Sequence, residues 1–182
     1  MGLTLISTHT ASASASLDIT SGIDSTYNEY QFQIVNVHPA TDNVNFGFQV
    51  NASGASGFNE TITSSAFRTY LHETAGGGGG GTLNYDSGQH QSDGTAYQRI
   101  LSTGTGNGSD ESSSGLLTLY DPSSTTYVKH YTAIGNGYDH GDWTVNSNSG
   151  GYFNVTSAID EISFMFDSGN IDEGTIYMYG VS

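Results

Sequence analysis

The sequence contains no cysteine and very little positive charge. Without cysteine, the chain has no disulfide, no thiolate metal site and no cysteine nucleophile. Arg68, Arg99 and Lys129 are its only lysines and arginines, against 18 acidic residues, and the formal net charge is −15. Because phosphate backbones and anionic lipids are bound by clustered basic residues, we expect neither nucleic acid nor a membrane surface as a partner.

Targeting signals and helix formers are also scarce. Residues 1–20 lack a charged segment followed by an apolar run, so no signal peptide is predicted. No stretch approaches the roughly 18 apolar residues of a membrane-spanning helix. Two prolines, 25 glycines and 12% aromatic residues describe a chain rich in turns and pleated surface. The 182 residues fit one domain, and the composition predicts an all-β fold.

Alternation of apolar and polar residues indicates β-strands. In YQFQIVNV, Tyr30, Phe32 and Ile34 occupy every second position, and VNFGFQV (44–50) repeats the pattern. The short, turn-forming connection HPATDN predicts that these two runs pair as a hairpin. Further strands are predicted at 66–71, 96–101, 115–121, 126–133, 151–155, 161–167 and 175–181. Nine or so strands in one domain predict two sheets packed face to face, or a barrel.

Glycine- and serine-rich segments are predicted to form long surface loops. They comprise the run of six glycines, Gly76 to Gly81, with its flanking residues, and the segments 102–115 and 135–151. The low-complexity segment ASASASLDITSG is compatible with an edge strand or with a flexible arm. We favour a flexible N-terminal arm at residues 1–15 that lies on a partner, followed by a sandwich domain at 16–182.

The segment YDHGDW (138–143) is the strongest candidate site. Tyr138, Asp139 and Trp143 could contact a glycan, through aromatic faces and a carboxylate that accepts hydroxyl hydrogen bonds. A metal could use Asp139, His140 and Asp142, but the spacing matches no established metal signature, and we predict no metal ligand. The alternative is a polar loop in which Trp143 closes the end of the sandwich or enters an interface.

Motifs for catalysis are not found. No G-x-S-x-G elbow accompanies the many serines, and the glycine-rich loops lack the Lys-Ser/Thr of a phosphate-binding loop. The carboxylates that could serve glycoside hydrolysis have the positions of strand ends and turn residues; they are Asp160, Glu161, Asp167, Asp172 and Glu173. We therefore predict a protein that is not an enzyme, with no catalytic residue and no cofactor.

The last 22 residues have the pattern of a β-hairpin. EISFMFD and TIYMYGV alternate, and the connecting DSGNIDEG supplies glycines for positive φ. We expect Ile176 and Met178 to face the core, and Tyr177 and Tyr179 to face outward, where they would serve packing between subunits.

Three segments together resemble virion proteins of tailed phages, particularly marine and cyanobacterial phages. They are SGIDSTYNEYQFQIVNVHPATDNVNFGFQV, SGLLTLYDPSSTTYVKHYTA and GYFNVTSAIDEISFMFDSGNIDEGTIYMYGVS, the last of which contains a G-N-I-x-x-G-T-I-x-x-Y-G ending. The resemblance covers about residues 16–182. It implies a jelly-roll-like antiparallel β-sandwich of about 8–10 strands and a non-enzymatic structural role in the virion, as a capsid decoration or small tail-fibre component.

The resemblance also implies the partners. They would be other capsid or tail proteins and further copies of the chain, as a homo-oligomer for which a trimer is one candidate. The alternative function is a carbohydrate-binding module that recognises a host surface glycan, with Tyr138, Asp139 and Trp143 as contacts.

Overall fold

The computed structural model describes residues 2–74, 81, 83–101 and 104–182. The elements are β1 (Leu3–Thr10), β2 (Leu17–Ile19), β3 (Glu29–Pro39), β4 (Phe46–Ala52), β5 (Ile62–His72), β6 (Asn84–Tyr85), a 3₁₀ helix (Ser87–Gln89), β7 (Gln98–Arg99), β8 (Ser113–Tyr120), β9 (Lys129–Asp139), β10 (Trp143–Phe153), β11 (Ile159–Phe166) and β12 (Ile171–Val181). The strands are all antiparallel to their neighbours and form a large sheet of eight strands and a small sheet of four, ordered β1-β12-β3-β8-β9-β10-β5-β6 and β2-β11-β4-β7. The predicted all-β sandwich is confirmed.

An aromatic core lies between the two sheets. Phe164 of the small sheet packs against Phe32 of the large sheet, with ring centroids 5.7 Å apart, and against Phe46 and Phe48 on the neighbouring strand of its own sheet. Phe48 also meets Tyr131 edge to face at 5.1 Å. All of these side chains are 0–1% exposed, so the inward half of the alternating pattern is buried as predicted.

Both predicted hairpins are wrong in their pairing. β3 pairs with β12 and β8, whereas β4 pairs with β11 and β7, so the two runs lie in different sheets. The same holds for β11 and β12 at the C-terminus. In each case the two consecutive strands lie in different sheets, and their apolar faces pack against each other across the core instead of pairing within one sheet. The orientation of the last strand is nevertheless as predicted, because Ile176 and Met178 are fully buried.

The N-terminal segment is part of the large sheet, in contrast to the flexible arm expected at residues 1–15. β1 pairs with β12 along its length, with one bulge between Leu5 and Ser7. The chain stays beside β12 past the end of β1, since Ala11, Ala13 and Ser14 donate their N–H groups to carbonyls of the first residues of that strand. Strand β12 offers an otherwise open edge here, and backbone pairing outweighs the low complexity of the segment.

The expected loop at 135–151 is wrong, because these residues form the end of β9, a short turn and most of β10. Gly135 and Gly137 face inward and lie under the segment 100–101. A Cβ atom on Gly135 would stand 2.8 Å from the carbonyl oxygen of Ile100. The glycines therefore allow the backbone of segment 100–101 to lie close against strand β9. Composition alone does not distinguish glycines with this role from glycines in a flexible loop. Most of the run Gly76 to Gly81 lies outside the described residues.

Candidate functional site

A tight turn joins β9 to β10 and divides the YDHGDW segment between two faces. Asp139 pairs with Trp143 across the turn, and Asp142 has φ of +65°, as the last residue of a three-residue hairpin loop requires. The Asp139 carboxylate accepts a hydrogen bond from the Gly141 N–H at 2.8 Å. Since side chains alternate along a strand, Asp139 and Trp143 project inward while Tyr138 projects outward. The three predicted contacts thus do not form one site.

On the inner side, Trp143 belongs to an aromatic cluster at the open end of the sandwich. Its ring meets Tyr70 edge to face at 5.3 Å and His72 at 4.8 Å. The Arg68 guanidinium lies 5.7 Å from the centre of the Tyr70 ring. A pocket of about 250 Å³ opens between these groups and Asp139, which is 6% exposed. We call it the Trp143 pocket.

On the outer side, Tyr138 is held by acidic neighbours. Its hydroxyl donates a hydrogen bond to Oε2 of Glu73 at 2.9 Å and stands 3.4 Å from Oδ1 of Asp142. The hydrogen bond to Glu73 is the main cause that raises the pKa of Tyr138 above its ordinary value, and the carboxylates of Asp142 and Asp110 add to it. Tyr138 is therefore a neutral phenol at physiological pH, and its donor is already used.

Tyr177 and Tyr179 lie on the same outward side of the large sheet as Tyr138. Pairing across the strands places Tyr177 in a row with Gln33, Leu116, Ile134, Asn148, Phe67 and Tyr85, one residue from each of seven strands. Leu116, Ile134, Phe67 and Tyr85 are 38%, 51%, 47% and 74% exposed. This transverse row is an apolar and aromatic band that nothing in the described part of the chain covers.

The whole outward side of the large sheet, which we call the outer face, is almost free of charge. Its strand residues include two carboxylates near strand ends, Glu29 and Glu173, and two histidines, His38 and His130. The others are mainly Thr, Ser, Asn, Gln, Gly, aromatic and aliphatic residues. In a chain of net charge −15, the remaining acidic residues lie at strand ends, on loops, on the small sheet or facing inward. The outer face measures about 34 Å across the strands at the usual spacing.

A separate cleft of about 540 Å³ lies on the outward side of the small sheet, beneath the segment 88–97. Arg99, Gly47 and Met165 form its floor as a row across β7, β4 and β11. Asp167 accepts hydrogen bonds from the main-chain N and Nδ2 of Asn45, at 3.0 and 2.7 Å, and lies 3.8 Å from Arg99. Amide, guanidinium and carboxylate groups over a partly apolar floor are suited to a small polar ligand.

Sequence reasoning missed this cleft because its residues come from three distant segments. Asp167 was expected to be a strand-end residue, and Arg99 and Asn45 carried no signal. The lining contains a single carboxylate, Asp167, whereas glycoside hydrolysis needs a pair. Within residues 2–74, 81, 83–101 and 104–182, no group of three or more histidine and acidic side chains is placed to hold a metal ion. No helix in the same ranges is long and apolar enough to cross a membrane.

The chain matches no protein-family profile, no curated protein and no solved structure. The functional argument therefore depends on the geometry of the outer face, the Trp143 pocket and the cleft.

Proposed function

We propose that this chain is a non-enzymatic structural subunit that works by packing against other protein subunits in a particle. The observation that carries the proposal is the outer face, a wide neutral surface in a strongly acidic protein. Burying a charge at an interface costs free energy unless it is paired, so an uncharged surface is suited to close packing. Its extent comfortably exceeds the roughly 800 Å² that each partner contributes to a standard interface.

The particle that the sequence resemblance implies is a tailed-phage virion. The chain would be a capsid decoration subunit or a small tail or fibre component, with other virion proteins and further copies of itself as partners. The transverse row supports this assignment, because apolar and aromatic side chains near the centre of a polar surface are the usual anchors of protein interfaces. Tyr177 belongs to this row and Tyr179 lies beside it, and both would contribute to the same contact.

The test is to recover the chain from purified particles of the phage that encodes it. Mass spectrometry should find it in stoichiometric amounts, and particles assembled with the double variant Leu116→Glu, Ile134→Glu should lose it. Thr126→Glu is the matched control, since it adds negative charge at an exposed loop position away from the outer face. Absence of the wild-type chain from particles, or full retention of the double variant, would contradict the proposal.

Carbohydrate binding is the second candidate function, and the Trp143 pocket is the observation that favours it. Aromatic rings beside a carboxylate and a guanidinium form the kind of surface on which sugar rings stack and bond. A glycan array probed with the wild-type chain should then give signals that Trp143→Ala abolishes and that Tyr127→Ala, a change of an exposed aromatic residue elsewhere, leaves intact. An empty array would leave packing as the sole candidate.

A further inference from the structure

The outer edge of β1 is an unprotected strand edge. Gly2 and Ser182 bond one another in both directions, and from that pair the alternation of an antiparallel ladder leaves the main-chain groups of Leu3 and Leu5 pointing away from β12. Beyond the bulge, the Ala11 N–H bonds to the Gly174 carbonyl, so Ala11 and every second residue before it direct their main-chain groups toward β12. The main-chain groups of Thr8 and Thr10 therefore point away from β12 as well. Within the described residues, no other segment bonds to these groups.

Proteins usually protect such an edge with charged residues, proline or a covering loop. β1 has the sequence LTLISTHT, which contains none of Asp, Glu, Lys, Arg or Pro. Leu3 and Leu5 are 59% and 52% exposed, although both are large and apolar. At about 3.4 Å per residue the strand offers an edge of about 27 Å, long enough for a stable ladder with another strand.

We propose that β1 pairs antiparallel with β1 of a second copy of this chain, which joins the two large sheets into one continuous sheet. The charge distribution favours a second copy of the chain as the partner of this edge. Two chains of net charge −15 repel one another at most approaches, but β1 and the neighbouring outward residues of β12 carry no ionised group except Glu173 near the end of that strand. A basic partner would instead be drawn to the acidic loops.

The register follows from the outward groups. A two-fold axis between Ile6 and Ser7 places Leu5 opposite Thr8 of the other copy and Leu3 opposite Thr10. In this register, every N–H and C=O group of these residues that points away from β12 forms a hydrogen bond with the second copy. The dimer presents two outer faces side by side, and Leu5 and Tyr179 lie next to the seam. This inference deepens the packing function proposed above, and it replaces the trimer considered from the sequence with a two-fold dimer.

Light scattering on the purified full-length chain tests the pairing. The wild type should have twice the monomer mass of 19.2 kDa. Thr8→Pro should be a folded monomer, because the N–H that proline removes points away from β12. Its melting temperature should match that of the wild type at dilutions at which the wild-type dimer has dissociated. Thr8→Ala keeps that N–H and should remain a dimer. A monomeric wild type at all concentrations, or a dimeric Thr8→Pro, would overturn the proposal.

The absence of cysteine permits a second measurement that does not depend on proline being tolerated. Opposed residues of a bonded antiparallel pair have Cα atoms about 5.5 Å apart, within the range of a disulfide. A mixture of Leu5→Cys and Thr8→Cys chains should therefore cross-link under mild oxidation, whereas either variant alone should not. Equal cross-linking of the single variants would overturn the register. A failure of β1 pairing would not contradict packing through the outer face. The packing function is tested on purified particles, whereas β1 pairing is tested on the isolated chain.

Discussion

The two faces of the large sheet are built from the same strands and differ in what covers them. The inward face carries Phe32, Tyr131 and their neighbours against the small sheet, and the side chains that the small sheet covers are almost fully buried. The outward face carries neutral polar residues with an apolar row that is about half exposed. Both faces largely exclude carboxylates, although the chain is strongly acidic. A sheet face with few charges is therefore not necessarily part of the hydrophobic core. The exposed neutral face requires an explanation other than burial within the chain.

The largest effect is expected for the aromatic core of the inward face. Phe32→Ala removes a fully buried ring that packs against Phe164, and such a truncation costs about 3–5 kcal/mol of unfolding free energy. Gln33→Ala, the next residue on the outward face, should change stability by less than about 0.5 kcal/mol. Urea denaturation measures both. Similar losses for the two variants would break the distinction between the faces.

Glycines on opposite faces of adjacent strands give a second contrast. Gly135→Ala places a Cβ atom 2.8 Å from a backbone oxygen and should cost about 1–3 kcal/mol. On the outward face, Gly150→Ala meets only ordinary contacts, with 3.6 Å to the nearest atom, and should be neutral or stabilising by up to about 1 kcal/mol. Thermal unfolding of the two variants tests whether the outward face has room that the inward face lacks.

Lys129 is the one lysine of the chain and faces inward, fully buried. Its Nζ donates to the carbonyl oxygens of Val155 and Ser157 at 3.1 and 2.5 Å, so it ties β9 to the chain after β10. Lys129→Met leaves these acceptors without their donor and should cost about 1–3 kcal/mol. An unchanged or higher stability would show that relief of the buried charge outweighs the lost hydrogen bonds.

The pH dependence of the same pair of proteins has a definite sign. Burial lowers the pKa of Lys129 below its ordinary 10.5, and Asp121 and Glu60 only partly oppose this shift. Between the lowered pKa and 10.5 the unfolded chain binds more protons than the folded chain, so this lysine makes stability rise with pH. The stability difference between wild type and Lys129→Met should therefore widen as pH rises toward 10.5. A difference that narrows would contradict the pKa shift.

The smallest effect on folding is expected in the transverse row. Ile134→Glu changes an exposed side chain and should alter the free energy of unfolding by less than about 0.5 kcal/mol. A loss above about 2 kcal/mol would mean that the outer face is part of the core energetics and is not free for a partner. Chemical denaturation with Thr126→Glu as the control separates this effect from added charge.

Where apolar and polar residues alternate, the sequence predicted the strands and their buried sides, but it missed β1 and most of β10 and did not show which strands are neighbours. Tyr30, Phe32 and Ile34 alternate with polar residues, and that alternation determines the face whatever the pairing. The connections after Pro39 and after Phe166 contain turn residues that suit a hairpin and a crossing between sheets equally, so the sequence did not distinguish them. A jelly-roll-like arrangement is compatible with such crossings.

The candidate site was less predictable for two physical reasons. Tyr138, Asp139 and Trp143 are close in sequence, and only the tight turn of the hairpin shows that alternation sends them to opposite faces. The transverse row and the cleft are made of single residues from many strands, so neither has a local signature. Edge strand β1 could be suspected from LTLIST, which alternates, but the small residues that follow it favoured an arm.

If the chain is a particle subunit, as proposed, a cryo-EM map of that particle tests the central claim most directly. The account predicts that another protein subunit covers the outer face of the large sheet and contacts Leu116, Ile134 and Phe67. A map in which that face is bare to solvent, while the chain is attached through the small sheet or the loops, would contradict it.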